Sequence, residues 1–254
     1  MPQQENLKYK KNFLTNVICR IDFVPISQEI IDGQKDKFKE RIKQNFPNDE
    51  KHSWVEFFTT IKGQEKIDER KESFFYNFFD TSKEKKVTLT YKHVAIEFLK
   101  YKDFTDFKTN VKDLFDVFML LYKPTKLTRL GLRYINQIFL EKGNPFSWKG
   151  QVDSSLMCVI NKFLENNEDI ARAMSQAIIK NDDYTMNFNY GIFNSEFPAK
   201  IRRKEFILDF DCSTQEVNET TFYDSLAKFN KEIKILFEKS IKDNLRELME
   251  VINE

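Results

Sequence analysis

A chain of 254 residues with 41% hydrophobic and 32% charged residues has the composition of a globular domain, and 41 Lys and Arg against 40 Asp and Glu give a formal net charge of +1. Such a balance argues against a protein that binds nucleic-acid backbones, because those proteins usually carry a basic excess. With only six glycines and two histidines, His52 and His93, the chain lacks the glycine-rich phosphate loops and can hardly build a histidine metal site or Ser-His-Asp catalysis.

The cysteines and the N-terminus indicate a compartment. Cys19, Cys158 and Cys212 are far apart and lie among apolar residues, which is typical of buried free thiols in a reducing environment. The opening MPQQENLKYKKNF has no apolar signal core, and no apolar run approaches the roughly 20 residues of a membrane span. We therefore expect one cytoplasmic unit, residues 1–254, with no membrane partner.

Residue periodicity predicts the elements of a first half, residues 12–123. In NVICRIDF every second residue is apolar, which indicates a strand, and Ser27 introduces a helix to about residue 46. Strands are predicted over 53–61, 72–80, 85–92 and 94–101. A helix capped by Asp103 or Thr105 then extends to about residue 122. His93, between two strand-like runs, is expected in a turn or at the surface.

The second half, residues 124–254, shows a similar order. LTRLGLRYINQIFL is predicted as its first strand and SSLMCVINKFLEN as its first helix. Three further strands are predicted in ARAMSQAIIK, DYTMNFNYGIF and KEFILDFDC. A final helix begins near Thr221 and Asp224.

The final helix is predicted to be long. From Phe222 to Ile252 apolar residues recur every three or four positions without Gly or Pro, which favours one helix of roughly 30 residues. Such a helix would outrun the sheet beneath it. We therefore expect its distal part, Leu245 to Ile252, to dock on a second copy and form a homodimer.

The order of elements predicts the fold class. Two similar β-α-β-β-β-α halves favour an α+β fold in which a large antiparallel sheet has its helices packed on one side. The saddle of the TATA-box-binding protein is an analogy for this repeated plan. A curved sheet gripping one helix is the alternative topology.

Polar strand faces predict a binding surface. On LTRLGLRYINQIFL, Arg129 and Arg133 share one face about 13 Å apart, and Asn136 is a carboxamide on the apolar face. The polar faces of two later strands carry Asn187 with Asn189, and Asp209 with Asp211. Cross-strand ion pairing explains such faces, and a ligand site explains them too. The candidate ligand- or partner-binding residues are Arg129, Arg133, Asn136, Asn187, Asn189, Asp209 and Asp211.

Two other functions remain open. Glu205, Asp209 and Asp211 would serve a metal-dependent enzyme that cleaves phosphodiesters, although carboxylates without a nearby histidine make a poor transition-metal site. We expect no cofactor and no Mn²⁺ binding tighter than the high-micromolar range. The other alternative is nucleic-acid binding through a basic face of Arg129, Arg133, Arg202 and Arg203.

Three segments carry a family resemblance. YKKNFLTNVICRIDF, RLGLRYINQI and FILDFD resemble, in that order, a sporadically distributed, uncharacterised bacterial protein family with motifs near NPLxEVxxEIRF, RxGLRYxNRI and LDxD. The resemblance spans most of the chain, but Gln137 stands where the family often has Arg, and Phe13 where Pro is common. Its patchy distribution implies mobile or defence-associated genes, and it supplies no catalytic residues.

These observations together predict a function class. We expect a cytoplasmic, non-enzymatic binding or regulatory module, with a protein or small molecule as partner. The resemblance associates it with phage defence or a toxin–antitoxin type system.

Overall fold

The structure, a computed structural model, describes residues 8–62, 65–163 and 170–252 and shows a mixed α+β fold. In chain order the elements are β1 (Lys8–Tyr9), β2 (Leu14–Phe23), α1 (Gln28–Ile42), β3 (Asn48–Lys62), β4 (Glu65–Phe79), β5 (Lys85–Leu89), β6 (His93–Phe98), α2 (Phe104–Tyr122), β7 (Leu127–Leu140), a 3-10 turn (Ser154–Met157), α3 (Cys158–Lys162), β8 (Ala173–Lys180), β9 (Thr185–Ile192), β10 (Lys204–Thr214), α4 (Phe222–Ser240), α5 (Asp243–Met249) and β11 (Val251–Ile252). The strands β1 and β11 have two residues each, and the helices α3 and α5 have five and seven.

Nine strands form one large sheet in the order β3-β4-β5-β6-β2-β7-β10-β9-β8, and β1 pairs separately with β11. The predicted α+β class with a large antiparallel sheet is confirmed. The chain divides into two compact units: unit 1 comprises Met1–Val17 and Gly131–Glu254, and unit 2 comprises Ile18–Leu130. Four strands lie between α1 and α2, but three lie between α3 and α4, so the internal duplication is not confirmed.

In unit 2 both long helices pack on one face of the strands. Phe118 of α2 lies 4.8 Å from Phe23 between ring centroids, and Phe38 of α1 lies 5.4 Å from Phe78. Capping residues begin both helices as the sequence predicts. Ser27 Oγ accepts a hydrogen bond from the backbone N–H of Ile30, and Asp103 does the same for Asp106. Of the two caps predicted for α2, Asp103 is the one used.

Unit 1 is built in the same way, with α4 on the apolar face of β9 and β10. Ring centroids of Phe210 and Phe237 lie 6.4 Å apart, and those of Tyr184 and Phe229 lie 6.2 Å apart. The hydroxyl of Tyr134 donates to Asn230 Oδ1 of α4 at 2.8 Å, which satisfies a buried amide. Helices on one side of the strands are therefore a property of each unit.

The single 30-residue helix predicted at the C-terminus is wrong, because α4 ends at Ser240 and Ile241 is extended. The backbone groups that would continue the helix form hydrogen bonds with the preceding loop instead. Asp153 N–H donates to Ser240 O, and Lys242 N–H donates to Gln151 O, each at 2.9 Å. The shorter α5 follows, and it buries Leu245 and Met249. Of the distal apolar residues that motivated a homodimer, Leu248 and Ile252 are exposed, and the dimer stays a prediction.

Two smaller predictions also need correction. The helix predicted from residue 154 is a 3-10 turn followed by the five-residue α3, with Val159 and Phe163 half exposed, and residues 164–169 lie outside the described residues. Cys19 and Cys212 are buried free thiols, but Cys158 is exposed. The five-residue α3 buries Ile160, and Cys158 lies on its exposed side.

Candidate functional site

Five of the seven predicted binding residues come together on one face of unit 1. The strand order β7-β10-β9 places Asp209 opposite Asn189 and Asp211 opposite Asn187. Arg133 donates through Nε to Asp209 Oδ1 at 2.8 Å and through Nη2 to Oδ2 at 2.7 Å. Asn189 Nδ2 donates to the same carboxylate at 3.3 Å. An arginine of β7 and an aspartate of β10 thus form a cross-strand ion pair on this face.

The other two predicted residues lie elsewhere. Asn136 is buried on the apolar face, where its amide donates to Leu208 O at 3.3 Å. Arg129 belongs to unit 2, and its Nη1 lies 3.7 Å from Asp22 Oδ2. The seven residues therefore do not form one site.

The network around Asp209 has the geometry of a structural ion pair. Its carboxylate is almost buried, with 9% of the side chain exposed, and the fork of Arg133 occupies both oxygens. A carboxylate held in this way offers little to a ligand. The arrangement favours cross-strand pairing, one of the two explanations that the sequence allows.

We expect Arg133→Ala to lower the free energy of unfolding by about 1–3 kcal/mol, because it leaves the buried carboxylate of Asp209 with the weaker amide of Asn189. Arg129→Ala is the matched control on the same strand and should cost about 0.5–2 kcal/mol, less than the first variant, because its ion pair is longer. Urea unfolding of both variants measures the difference. A larger loss for Arg129→Ala would contradict this ranking.

The carboxylates of the metal-dependent alternative do not converge. Glu205 accepts from the backbone N–H of Ser195 at 2.9 Å and from its hydroxyl at 2.8 Å. Asp209, four residues further along β10 and so about 13 Å away, pairs with Arg133. Across residues 8–62, 65–163 and 170–252, no group of three or more His, Cys, Asp or Glu side chains could hold a metal ion. The geometry gives this alternative no support.

Two cations of the basic run KIRRKEF have partners of their own. Arg203 pairs with Glu196 at 3.0 Å. Lys204 is buried with its ammonium 5.1 Å from the ring centre of Trp148, and burial lowers the pKa of that ammonium. Arg203 and Lys204 thus serve separate local contacts.

A surface that the sequence reasoning missed lies on unit 2. Four rings follow one another across β3, β4 and the turn after β5, in the order His52, Phe75, Trp54 and Tyr91; we call them the aromatic row. Successive ring centroids lie 4.9, 5.2 and 6.0 Å apart. All four residues are half-buried, so each ring keeps accessible surface.

The aromatic row lies on the sheet face turned away from α1 and α2. Tyr76 and Phe78 point to the helices and are buried, so Phe75, which directly precedes Tyr76 in β4, points the other way. In the antiparallel register His52 lies opposite Phe75, and Trp54 lies opposite Ser73. Ser73 is two residues from Phe75 along β4, so the two side chains point to the same face. His52, Phe75 and Trp54 therefore share one face, and Tyr91 contacts Trp54 from the turn.

Charged groups and the second histidine lie beside this row. The ammonium of Lys92 is 5.3 Å from the ring centre of Tyr91 and 5.8 Å from that of Trp54, within cation–π range. Burial lowers the pKa of His93 to about 4, and the charges of Arg20 and Lys92 act in the same direction against that of Asp22. His93 is thus neutral at physiological pH, and it opens β6 rather than lying in a turn.

His93 should make the folded chain less stable in mild acid. The unfolded chain binds its proton near pH 6.5, but the folded chain binds it only near pH 4. Stability is therefore lost as the pH falls from about 6.5 to 4, by at most about 3 kcal/mol given the partial exposure of the ring. The free energy of unfolding of the parent, relative to that of His93→Gln, should decrease as the pH falls across this window. Since the chain has two histidines, NMR titration can assign both, and a pKa of His93 near 6.5 would contradict the expectation.

Comparisons with known proteins do not assign the chain to a family. The chain matches no protein-family model, and no curated protein shows significant similarity to it. The resemblance in the three motifs therefore stays a prediction. Within the described part of the chain, no helix combines the length and apolar character needed to cross a bilayer.

Proposed function

We propose that the chain is a non-enzymatic binding module that holds a planar-ring ligand against the aromatic row of unit 2. The observation that carries this proposal is the run of four contacting, half-buried rings on the face away from the helices. Aromatic side chains pack well in cores, and a continuous group of them at the surface usually marks an interaction site. A ligand ring would extend the stack at either end of the row.

The polar groups near the row support binding rather than catalysis. Thr90 Oγ1 lies 3.1 Å from His93 Nδ1, which at first resembles a nucleophile and its base. The hydroxyl is buried, however, and accepts from the backbone N–H of Lys92 at 3.1 Å and of His93 at 2.9 Å. Such bonds are typical of a hydroxyl that stabilises a turn.

The cellular role belongs to the same proposal. The composition and the cysteine usage favour a cytoplasmic module, and the resemblance of the three motifs favours association with phage defence or a toxin–antitoxin type system. The aromatic row adds the means by which such a module would recognise a ligand.

Tryptophan fluorescence gives a direct test, because of the two tryptophans Trp54 lies in the row and Trp148 is 1% exposed. In a Trp148→Phe variant the emission reports on Trp54 alone. We expect AMP, UMP or riboflavin to change this emission saturably, and Phe75→Ala to weaken the ligand roughly 5- to 100-fold. Phe79→Ala, on the same strand but against Lys83, is the matched control and should bind normally. No saturable change with any of the three ligands would overturn the proposal.

A further inference from the structure

We infer that the edge strand β8 of unit 1 pairs with β8 of a second copy of the chain, so that the two sheets join across a twofold axis. This inference is independent of the proposed function, because β8 and the aromatic row belong to different units. It also places the dimer at a different segment from Leu245 to Ile252, where the sequence predicts it.

The outer edge of β8 is open for pairing. β8 ends the strand order, so in the part of the chain that the structure describes it has a strand neighbour, β9, on one side only. In an antiparallel ladder every second residue of such a strand directs its N–H and C=O away from the neighbour. These groups form a template on which a strand of another chain can add.

The sequence of β8 lacks the features that usually protect an edge strand. Residues 173–179, AMSQAII, include no charged residue and no proline, and Lys180 comes only at the end. The strand at the opposite edge, β3, carries Asp49, Glu50 and Lys51 near its start. Because charges and prolines on an edge prevent pairing, β8 is the edge that is suited to it.

Apolar side chains are exposed at this edge. Ile178, at 64%, is the most exposed large apolar residue of the described chain, and Met174 and Ile179 are exposed too. The helix α3 lies against β8 and exposes Val159 and Phe163. Five of the thirteen exposed large apolar residues among those described therefore belong to these two short elements. Such a concentration usually marks an interaction surface.

One register makes β8 complementary to itself. When a twofold axis normal to the sheet relates two antiparallel strands, side chains of the same face meet. With Gln176 on the axis, Met174 meets the partner's Ile178 on one face, and Ala173 meets the partner's Ile179 on the other. Every large apolar side chain of the strand then has an apolar neighbour.

Shifting the axis by one residue removes this match. With Ser175 on the axis, Met174 meets the partner's Gln176; with Ala177 on the axis, Met174 meets the partner's Lys180. Apolar cross-strand pairs stabilise a sheet more than such mixed pairs. The side chains therefore favour the register centred on Gln176. This self-complementarity is the reason for inferring a second copy rather than an unrelated strand.

The charged residues at the ends of the seam allow this register. Lys180 comes opposite the partner's Arg172, which would oppose pairing if both charges lay at the edge. Arg172, however, donates to Phe193 O at 2.6 Å, and its guanidinium lies 4.4 Å from the ring centre of Phe197. Its charge is thus directed to the loop after β9, on the inner side of β8.

Sedimentation equilibrium of the full chain from about 1 to 200 µM tests the inference, because self-association depends on concentration. We expect a dimer of twice the 30.5 kDa chain mass, held by roughly six to eight main-chain hydrogen bonds across the seam. Pairing about a twofold axis uses the edge of both copies, so growth should stop at the dimer. A monomer at every concentration, or larger polymers, would overturn the inference.

Charge variants locate the seam. Ile178→Lys replaces an exposed side chain and should raise the dimer dissociation constant at least ten-fold, because it puts a charge opposite Met174. Leu248→Lys on α5 and Ile30→Lys on α1 are matched controls at residues of 48% and 49% exposure, and they should dimerise like the parent. Circular dichroism checks that each variant is folded. Dissociation by Leu248→Lys but not by Ile178→Lys would place the dimer at the C-terminus and overturn the inference.

Cross-linking tests the register itself, in a Cys158→Ser background because Cys158 is the exposed thiol of the chain and the other two are buried. In Gln176→Cys the two introduced residues would lie about 4.5–5.5 Å apart between Cα atoms, within the span of a disulfide. In the control Ile178→Cys they would lie four residues apart along the seam, about 13 Å. Mild oxidation should therefore give a covalent dimer of Gln176→Cys alone. Equal or better cross-linking of Ile178→Cys would contradict this register and overturn the inference.

Discussion

Arg246→Ala should lower the free energy of unfolding by about 3–5 kcal/mol, because it leaves the carboxylate of Glu238 buried without its cation. The two side chains are 12% and 9% exposed, and Arg246 Nε donates to Glu238 Oε2 at 3.1 Å. Arg246 Nη2 also donates to the backbone O of Glu238 at 2.6 Å, and the hydroxyl of Tyr9 donates to Glu238 Oε1 at 2.7 Å. This network holds α5 and the N-terminal strand to α4.

Thermal and urea unfolding measure the loss, and a double-mutant cycle identifies its cause. Replacing both residues, as in Arg246→Leu with Glu238→Leu, should cost less than Arg246→Ala alone, because no charge is then left buried. Lys112→Ala is the matched control: it removes an exposed ion pair to Asp116 at 3.2 Å and should change stability by at most about 0.5 kcal/mol. A loss below about 1 kcal/mol for Arg246→Ala would contradict the expected role of the pair.

Gly191→Ala should destabilise the fold by about 3–5 kcal/mol, because the position in β9 excludes a side chain in two ways. Its φ of +139° is rarely adopted by other residues, and an added Cβ would lie 2.1 Å from the backbone O of Ala173. Since that oxygen belongs to the paired strand β8, the clash can be relieved only by moving the two strands apart. The register of Met174 with Gly191 would be lost.

Gly33→Ala is the opposite case in the same chain. Gly33 lies within α1, and an added Cβ there would meet no atom within 4 Å. Alanine restricts the unfolded chain and favours the helix, so this variant should be more stable by about 0.5–1 kcal/mol. Unfolding curves for the two glycine variants should show a lower free energy of unfolding for Gly191→Ala and a higher one for Gly33→Ala. Equal effects would show that neither backbone strain nor helix propensity explains these positions.

Local patterns in the sequence determined most of the elements and part of the predicted surface. The cap at Asp103, the strand alternation in Leu127–Leu140 and the polar face of β10 involve neighbours within a few residues, so periodicity is sufficient to predict them. Once those strands are neighbours, the pleat alone brings Arg133, Asp209 and Asn189 to one face.

The two corrected elements and the aromatic row depend on contacts that are distant in sequence. The apolar stripe after Phe222 continues past Ser240, but backbone hydrogen bonds with the loop at 151–153 replace those of the helix there. In the segment ESFFYNFF aromatic residues alternate onto both faces of one strand, which signals that helices cannot cover them all. Which rings meet depends on the register of β3 with β4 and on the turn that carries Tyr91. Tertiary structure alone decided this surface, because periodicity specifies the face of each residue but not its neighbour on the next strand.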